Sequence, residues 1–281
     1  MKKGDALFIM KTQTKKRNIT SLLTIIILII MVIICAKVIQ SINSPNENAQ
    51  DITYSSENYS EKEAKKLVKE YAQKNNYSLD DYPEKLISLL AKNGETKDFV
   101  LSYPKEKDQD HKVNLKKYKN CDEVPLLMQW DKRWGYMDYG KDIAAFTACG
   151  PLCLSMTAIY VKQDTKYSPD YIIEWAKDNG YCLKSGGSSW TLISEGSEKL
   201  GLDVTEIPLD ENRIIKNLKV GNPIICVMGP GDFTTTGHFI VMTGYENDKI
   251  KVNDPNSYKN SQKLWKYEDI YKQIKNLWVI R

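Results

Sequence analysis

The sequence contains few histidines, no internal repeat and no broad basic surface, and these shortages limit what the protein can be. Its only histidines are His111 and His238, so a general base has two candidates. Residues 1–40 hold seven Lys/Arg and one Asp, which leaves 33 Lys/Arg and 35 Asp/Glu, a net charge of −2, in the remainder. A nearly neutral remainder offers no footprint for nucleic acid, and we expect no nucleic-acid partner.

One long apolar run is present near the N-terminus, at residues 22–36. With its flanks it makes a segment, 19–40, that approaches the roughly 20 residues needed to cross a bilayer. Six Lys/Arg residues precede the run. The positive-inside rule therefore predicts a cytoplasmic tail at 1–18 and an exported remainder.

A cleaved signal peptide and a lipid-modified cysteine are the alternatives to a permanent anchor. No small-x-small cleavage site closes the run, and Ile34 stands where lipid attachment at Cys35 would require a small residue. We therefore expect a single-pass protein of the cell membrane whose main part is extracellular.

The exported part divides by composition. A polar, aperiodic stretch indicates a flexible tether, helical patterns follow it, and mixed patterns occupy the rest. The predicted divisions are cytoplasmic basic tail 1–18, transmembrane anchor 19–40, tether 41–60, helical preface and lead-in 61–120, and main domain 121–281.

Helical patterns mostly precede strand patterns along this part. Ser60 is placed to cap a helix through about Lys74, whereas the Lys-, Asp- and Pro-rich stretch 103–119 predicts a loop. An apolar helix is predicted at 151–161, and Ser168 is placed to cap another. Four short segments then have the composition of strands: 223–228, 238–243, 249–252 and 277–280. The order predicts an α+β fold, a helical half packed on a C-terminal antiparallel sheet, preceded by a transmembrane helix.

Cys149 is the candidate nucleophile, because Gly150 removes bulk beside it and Pro151 suits the first turn of a helix. Unpaired N–H groups and the positive end of a helix dipole favour a thiolate over a thiol. The alternative is a structural cysteine, either buried or in a disulfide.

His238 is the candidate base, since it begins an apolar strand segment while His111 lies in the charged lead-in. Asp254 follows it by sixteen residues, after the next strand segment. A hairpin would bring the two together, so that Asp254 accepts the Nδ1–H of His238. The alternative for Asp254 is turn chemistry in Asp-Pro-Asn-Ser, and Asn253 is the second candidate for orienting the imidazole.

Gln129 lies upstream of the cysteine in Gln-Trp-Asp-Lys-Arg-Trp-Gly. Its neutral amide could stabilise a developing oxyanion together with the Cys149 N–H. Trp130 and Trp134 are candidates for the walls of a cleft, with burial in the core as the commoner use of two aromatics. The segment 186–190 could shape the cleft, or form a turn and helix cap.

These motifs, with Ala148-Cys-Gly-Pro, Gly237-His-Phe and Asn253-Asp-Pro, resemble one family in their order and spacing. They are similar to the stand-alone members of the papain-like cysteine peptidases related to the bacteriocin (double-glycine) leader peptidases. The resemblance covers roughly residues 124–281.

The resemblance implies a papain-like fold for the main domain, with Cys149 as nucleophile, His238 as base, Asp254 as its orienter and Gln129 in the oxyanion hole. One departure is Ala148, where relatives often carry Gly. Another is the lack of any G-x-x-x-x-G-K-[ST] motif. Leader processing coupled to ATP-driven export therefore does not transfer to this chain.

The cysteines beyond the membrane number five, so they cannot all pair within a monomer. Cys149 is the expected free thiol, and Cys153, four residues on, is expected to face the core. A zinc site of Cys149, Cys153 and His238 lacks a recognisable ligand spacing. We expect neither a metal nor a cofactor.

The predicted reaction is hydrolysis of a peptide bond through an acyl-enzyme. Secreted precursors and the peptide cross-links of a bacterial cell wall are both possible substrates. Two alternatives remain open: an inert, tethered binding module of the same fold, and a cysteine amidase that acts on cell-wall or other non-peptide amides. The sequence has no signal for an oligomeric state.

Overall fold

The computed structural model describes Met31 and residues 57–281. The predicted tail 1–18, the predicted anchor 19–40 apart from Met31, and most of the tether lie outside the described residues. Residues 57–281 belong to one unit, Tyr54–Arg281. Within the described part of the chain, each helix is too short or too polar to span a bilayer.

The described elements alternate between helices and strands more than the sequence predicts. The α-helices are α1 Glu61–Lys74, α2 Glu84–Lys92, α3 Lys97–Glu106, α4 Ala144–Thr147, α5 Cys149–Lys162, α6 Pro169–Asp178, α7 Glu195–Lys199, α8 Glu211–Lys219, α9 Tyr258–Gln262 and α10 Tyr267–Ile270. The strands are β1 Asp138–Tyr139, β2 Asp142–Ile143, β3 Val204–Glu206, β4 Ile224–Met228, β5 His238–Glu246, β6 Lys249–Asn253 and β7 Ile274–Ile280.

Helix α1 begins where its sequence predicts. The Ser60 side chain accepts a hydrogen bond from the Glu63 N–H at 3.3 Å, and the Glu63 carboxylate accepts one from the Ser60 N–H at 2.8 Å. This reciprocal capping box satisfies two N–H groups that the helix itself leaves unpaired. The predicted helix from Ser60 to about Lys74 is confirmed.

The loop predicted for residues 103–119 is wrong in its first part, because α3 continues to Glu106. Composition favours a loop there, but Phe99 and Val100 are buried in the core of the preface and hold the helix in place. Tertiary packing thus overrides the local preference, and Pro104 is accommodated near the end of the helix.

The second half of the chain contributes a five-stranded antiparallel sheet, in the order β3-β7-β4-β5-β6. All four predicted strands are present, which confirms the mixed helical and antiparallel fold. Strands β5 and β6 form a hairpin in which Val241 pairs with Asn253. The start of β5 and the end of β6 therefore lie at the same end of the sheet.

The sheet is covered on both faces, which explains why β4 is buried along its whole length. On one face Ile225 and Val241 pack against the apolar side chains of α5. On the other face Cys226 and Ile240 pack with Ile214 of α8. Ten of the fourteen residues of α5 are buried, so this helix is firmly held against the sheet.

The expectation that helices precede strands fails at α8, which lies between β3 and β4 in the chain. Ile214 and Leu218, four residues apart, give this helix one apolar face, and that face is buried. Strand β3 was also not predicted; it pairs with β7 from Val204 to Glu206.

Val241→Ala tests the contribution of the sheet–helix core, because Val241 is fully buried between the sheet and α5. Loss of two buried methyl groups should lower the free energy of unfolding by about 2 kcal/mol, from lost burial and a residual cavity. Urea unfolding of the full-length chain followed by tryptophan fluorescence measures it. Val220→Ala is the matched control, since Val220 is 71% exposed and should change stability by less than about 0.5 kcal/mol.

Candidate active site

Cys149 is the first residue of α5, as its motif predicts. A side chain at Gly150 would meet the Ser188 hydroxyl at 2.9 Å, so glycine allows close packing beside the thiol. Cys149 itself is partly exposed as a residue. Its thiol is thus placed at a helix N-terminus.

The pKa of the Cys149 thiol is lowered from its ordinary value. Burial acts to raise this pKa, but the hydrogen bond from His238 and its positive charge outweigh burial, with help from backbone N–H groups of Phe239 and Gly150. These donors stabilise the thiolate directly. The site therefore favours the ionised sulfur more than an ordinary cysteine site does.

His238 opens β5 opposite Met228 and is 8% exposed. Burial acts to lower the pKa of its imidazole, but the adjacent Asp254 carboxylate and the Cys149 sulfur raise it above its ordinary value. A raised imidazole pKa beside a lowered thiol pKa describes a thiolate–imidazolium pair.

The contact between His238 and Asp254 joins Nε2 to Oδ1 at 2.7 Å. The expectation that Asp254 accepts from Nδ1 is therefore wrong in its choice of nitrogen. Because Asp254 engages Nε2, Nδ1 is the ring nitrogen left to interact with Cys149, the residue whose thiol pKa His238 lowers.

Asp254 is 1% exposed, and its carboxylate is surrounded by donors. Besides His238, Oδ1 accepts the Asn256 N–H at 2.9 Å and Oδ2 accepts the Asn260 side-chain amide at 2.9 Å. A buried carboxylate needs such partners to offset the loss of water. Asn260 is not among the predicted site residues, because an asparagine in a short polar helix carries no distinguishing signal.

Asn253 does not contact His238. Its side-chain amide donates to the carbonyl oxygens of Val124 at 3.0 Å and Pro125 at 3.1 Å. Asn253 therefore connects the end of β6 to the segment that begins the main domain.

Gln129 is buried in the segment that leads to the cysteine. Its side-chain Nε2 donates to the Ala145 carbonyl at 2.6 Å, and its backbone N–H donates to Pro255 at 2.8 Å. Its Oε1 is buried and has no hydrogen-bond partner among the described residues. An amide nitrogen carries two hydrogens, and the bond to Ala145 uses one of them.

Trp130 and Trp134 do not form the walls of a cleft. They are 5% and 1% exposed, so their aromatic rings belong to the core. Their indole N–H groups donate to backbone oxygens, of Asn256 at 3.2 Å and of Met128 at 2.9 Å. Both tryptophans are therefore buried core residues, the alternative that is commoner for aromatic side chains.

The segment 186–190 forms a turn close to the nucleophile. Gly186 and Gly187 have φ values of 98° and 78°, in the region that favours glycine. Ser188 follows them, hydrogen-bonded to the Tyr139 hydroxyl at 2.7 Å and packed against Gly150. The turn thus supports the start of α5.

The cysteines of the described part are all free: Cys121, Cys149, Cys153, Cys182 and Cys226. Cys153 is buried in the core, in agreement with the prediction. The other histidine, His111, lies 3.0 Å from the Glu106 carbonyl within the lead-in. Among the residues that the structure describes, no group of three or more His, Cys, Asp or Glu side chains could hold a metal ion.

Comparisons with known proteins show which family and which solved structures the chain is similar to. Residues 121–280 match the model of the "Peptidase_C39 like family". The peptidase domain of Streptococcus ComA, a bifunctional ABC transporter of a quorum-sensing pathway, is 21% identical, with a TM-score of 0.37 over 56% of this chain and 96% of that one. A putative C39-like peptidase from Bacillus anthracis is 12% identical, with a TM-score of 0.33 over 56% and 94%. No curated protein gives a significant match.

The lowered thiol pKa predicts selective alkylation of Cys149. Iodoacetamide should modify Cys149 with an inflection below the ordinary thiol pKa of about 8.5. In His238→Ala, loss of the hydrogen bond and charge should move that inflection above the ordinary value, because burial then dominates. Mass spectrometry of each cysteine against pH provides the measurement.

Cys121 and Cys182 are internal controls in the same samples. Both are partly exposed, and burial raises the pKa of each thiol. They should react only at higher pH in both proteins. Equal pH profiles for Cys149 and these two cysteines would contradict the thiolate–imidazolium pair.

Proposed function

The chain belongs to the Peptidase_C39 like family, and on that premise we propose that it is a membrane-anchored extracellular cysteine peptidase that cleaves peptide bonds. Cys149 is its nucleophile, His238 its base and Asp254 the residue that orients the base. The observation that carries the proposal is the 2.7 Å contact between His238 Nε2 and the buried Asp254 carboxylate, beside a Cys149 thiol whose pKa His238 lowers.

In the first half of the reaction, the Cys149 thiolate attacks the carbonyl carbon of the peptide bond, and the carbonyl oxygen becomes an oxyanion. The free N–H of the Gln129 amide and the Cys149 N–H are the donors proposed to stabilise it. As the intermediate collapses, the His238 imidazolium protonates the leaving amine. An acyl-enzyme remains on Cys149.

In the second half, neutral His238 takes a proton from water, and the hydroxide attacks the acyl carbon. Collapse of this intermediate releases the carboxylic acid and restores the thiolate and imidazolium. Asp254 holds the ring at Nε2 throughout, so that Nδ1 stays directed at the sulfur. No metal or cofactor takes part in these steps.

The location of the substrate follows from the proposed topology. The apolar run 22–36, preceded by basic residues, supports a cytoplasmic N-terminus and an extracellular catalytic domain. Substrates available there are secreted precursors and the peptide cross-links of a cell wall.

Cys149→Ala should abolish cleavage of a peptide library by the full-length protein, because no other group replaces the sulfur as nucleophile. Asp254→Asn should lower kcat about 10²- to 10⁴-fold and retain some activity, since it removes a charge and an orienting acceptor but not the nucleophile. Peptide products are identified and timed by mass spectrometry.

The same assay separates the proposal from its alternatives. Equal product from wild type and Cys149→Ala would remove the enzyme assignment and favour an inert binding module. Activity confined to cell-wall fragments with non-peptide amides, and dependent on Cys149, would instead identify an amidase.

The proposed anchor predicts how the protein fractionates. Full-length protein should remain with membranes through alkaline carbonate extraction, whereas a chain that lacks residues 1–40 should not. Protease added to intact cells stripped of their wall should digest the domain 121–281. Recovery of the full-length chain in the carbonate supernatant would contradict an integral anchor.

A further inference from the structure

Apart from the buried Asp254 and Pro255, the loop that carries Asp254 has little packing of its own. It continues from Asp254 into α9, a helix of five residues in which none is buried. One helical turn without an apolar face is not stable by itself in water. Contacts from elsewhere in the chain must therefore hold this loop in its observed position.

Two residues of the preface make such contacts, in addition to the Gln129 N–H on the Pro255 carbonyl and the Trp130 indole N–H on the Asn256 carbonyl. The carboxylate of Glu95 accepts the N–H groups of Tyr258 and Lys259, both at 2.8 Å, one on each oxygen. The Asn93 side-chain amide donates to the Asn256 carbonyl at 2.7 Å. Glu95 thus caps the first turn of α9, and Asn93 holds the turn between Asp254 and α9.

Each held segment continues directly to the Asp254 carboxylate. The Asn256 N–H donates to Oδ1, the oxygen that also accepts from His238. Asn260, which lies in the turn capped by Glu95, donates to Oδ2. Displacement of either segment would move the donors that fix the carboxylate.

The turn from Asn93 to Glu95 is itself well fixed. Asn93 accepts the Glu95 N–H on its side chain at 3.1 Å, and the Thr96 hydroxyl donates to the Asn93 carbonyl at 2.7 Å. Gly94 between them has no room for a side chain, because an added Cβ would lie 1.7 Å from the Glu57 carbonyl oxygen. The turn therefore presents Asn93 and Glu95 to the Asp254 loop as hydrogen-bond partners in fixed positions.

We propose that Asn93 and Glu95 are positioning residues of the active site, which hold the Asp254 loop so that Asp254 orients His238 toward Cys149. Both lie outside residues 121–280, the part that matches the family. The helical preface is thus a working part of the peptidase rather than a spacer. The inference rests on the proposed function in taking Cys149 as the nucleophile.

Alkylation of Cys149 by iodoacetamide against pH tests the proposal without any substrate. The full-length variants are Asn93→Ala, Glu95→Asp and Glu95→Ala. If Asp254 is displaced, it should stabilise the His238 imidazolium less. The imidazolium should then stabilise the Cys149 thiolate less. The inflection should move up by about half to one pH unit. At pH 6.5 this corresponds to an alkylation rate of Cys149 that is about 3- to 10-fold lower.

The set of variants separates positioning from charge. Glu95→Asp keeps the negative charge but is one methylene too short to reach both N–H groups, and Asn93→Ala changes no charge. Glu70→Gln is the matched control, since it removes a charge from an exposed residue of α1, elsewhere in the preface. It should leave the pH profile unchanged.

Shifts in Asn93→Ala and Glu95→Asp, with none in Glu70→Gln, support the proposal. Wild-type pH profiles in both Asn93→Ala and Glu95→Asp would overturn it. A shift found in Glu95→Ala alone would overturn it as well. If Glu95→Ala fails to fold, the two gentler variants decide. A wild type whose Cys149 titrates like an ordinary thiol would refute the proposed function itself, before any variant is compared.

Discussion

The buried hydrogen bond between His238 and Asp254 is the contact on which the rest of the site depends. A carboxylate that is 1% exposed has lost its water, and only charged or strongly polar partners can offset that loss. Here the partners are an imidazole at 2.7 Å, a backbone N–H and an asparagine amide. The imidazole that satisfies the carboxylate is thereby held in the orientation, and favoured in the charge state, that stabilises the Cys149 thiolate. Burial, which by itself would favour the neutral imidazole, thus makes the pairing stronger.

The sheet explains how residues 149, 238 and 254 meet. His238 begins β5 and Asp254 follows the end of β6, so the antiparallel hairpin places both at one end of the sheet. Helix α5 packs on the face of the sheet that includes Val241 and begins with Cys149 at that same site. Two strands and one helix therefore supply the three groups, and each group lies at the end of its element. At such positions a side chain can be oriented by regular structure while its reactive atom remains accessible.

Much of this was predictable because it depends on local patterns. A Ser60 cap, four apolar strand segments and a cysteine followed by Gly-Pro at a helix start are all visible within a few residues of sequence. The hairpin required one step more, from a sixteen-residue spacing to a spatial contact. The choice of Nε2 over Nδ1 was not predictable, because it depends on the angle at which the ring leaves the strand. The contacts of Asn93 and Glu95 were beyond reach for another reason: residues separated by about 163 positions share no local pattern.

The two sides of the site differ in how firmly they are held. Cys149 begins a helix with ten buried residues, so its position is set by a large apolar interface. Asp254 lies at the start of a polar loop whose one short helix buries nothing, and its position depends on a few hydrogen bonds. Hydrogen bonds specify direction well but contribute only about 1 kcal/mol each, whereas burial of a single large apolar side chain contributes about 2 kcal/mol. The Asp254 side is therefore the weaker constraint on the geometry of the site. Stability of the fold and alignment of the three groups are consequently separable properties: core substitutions act on the first, and changes around the Asp254 loop act on the second.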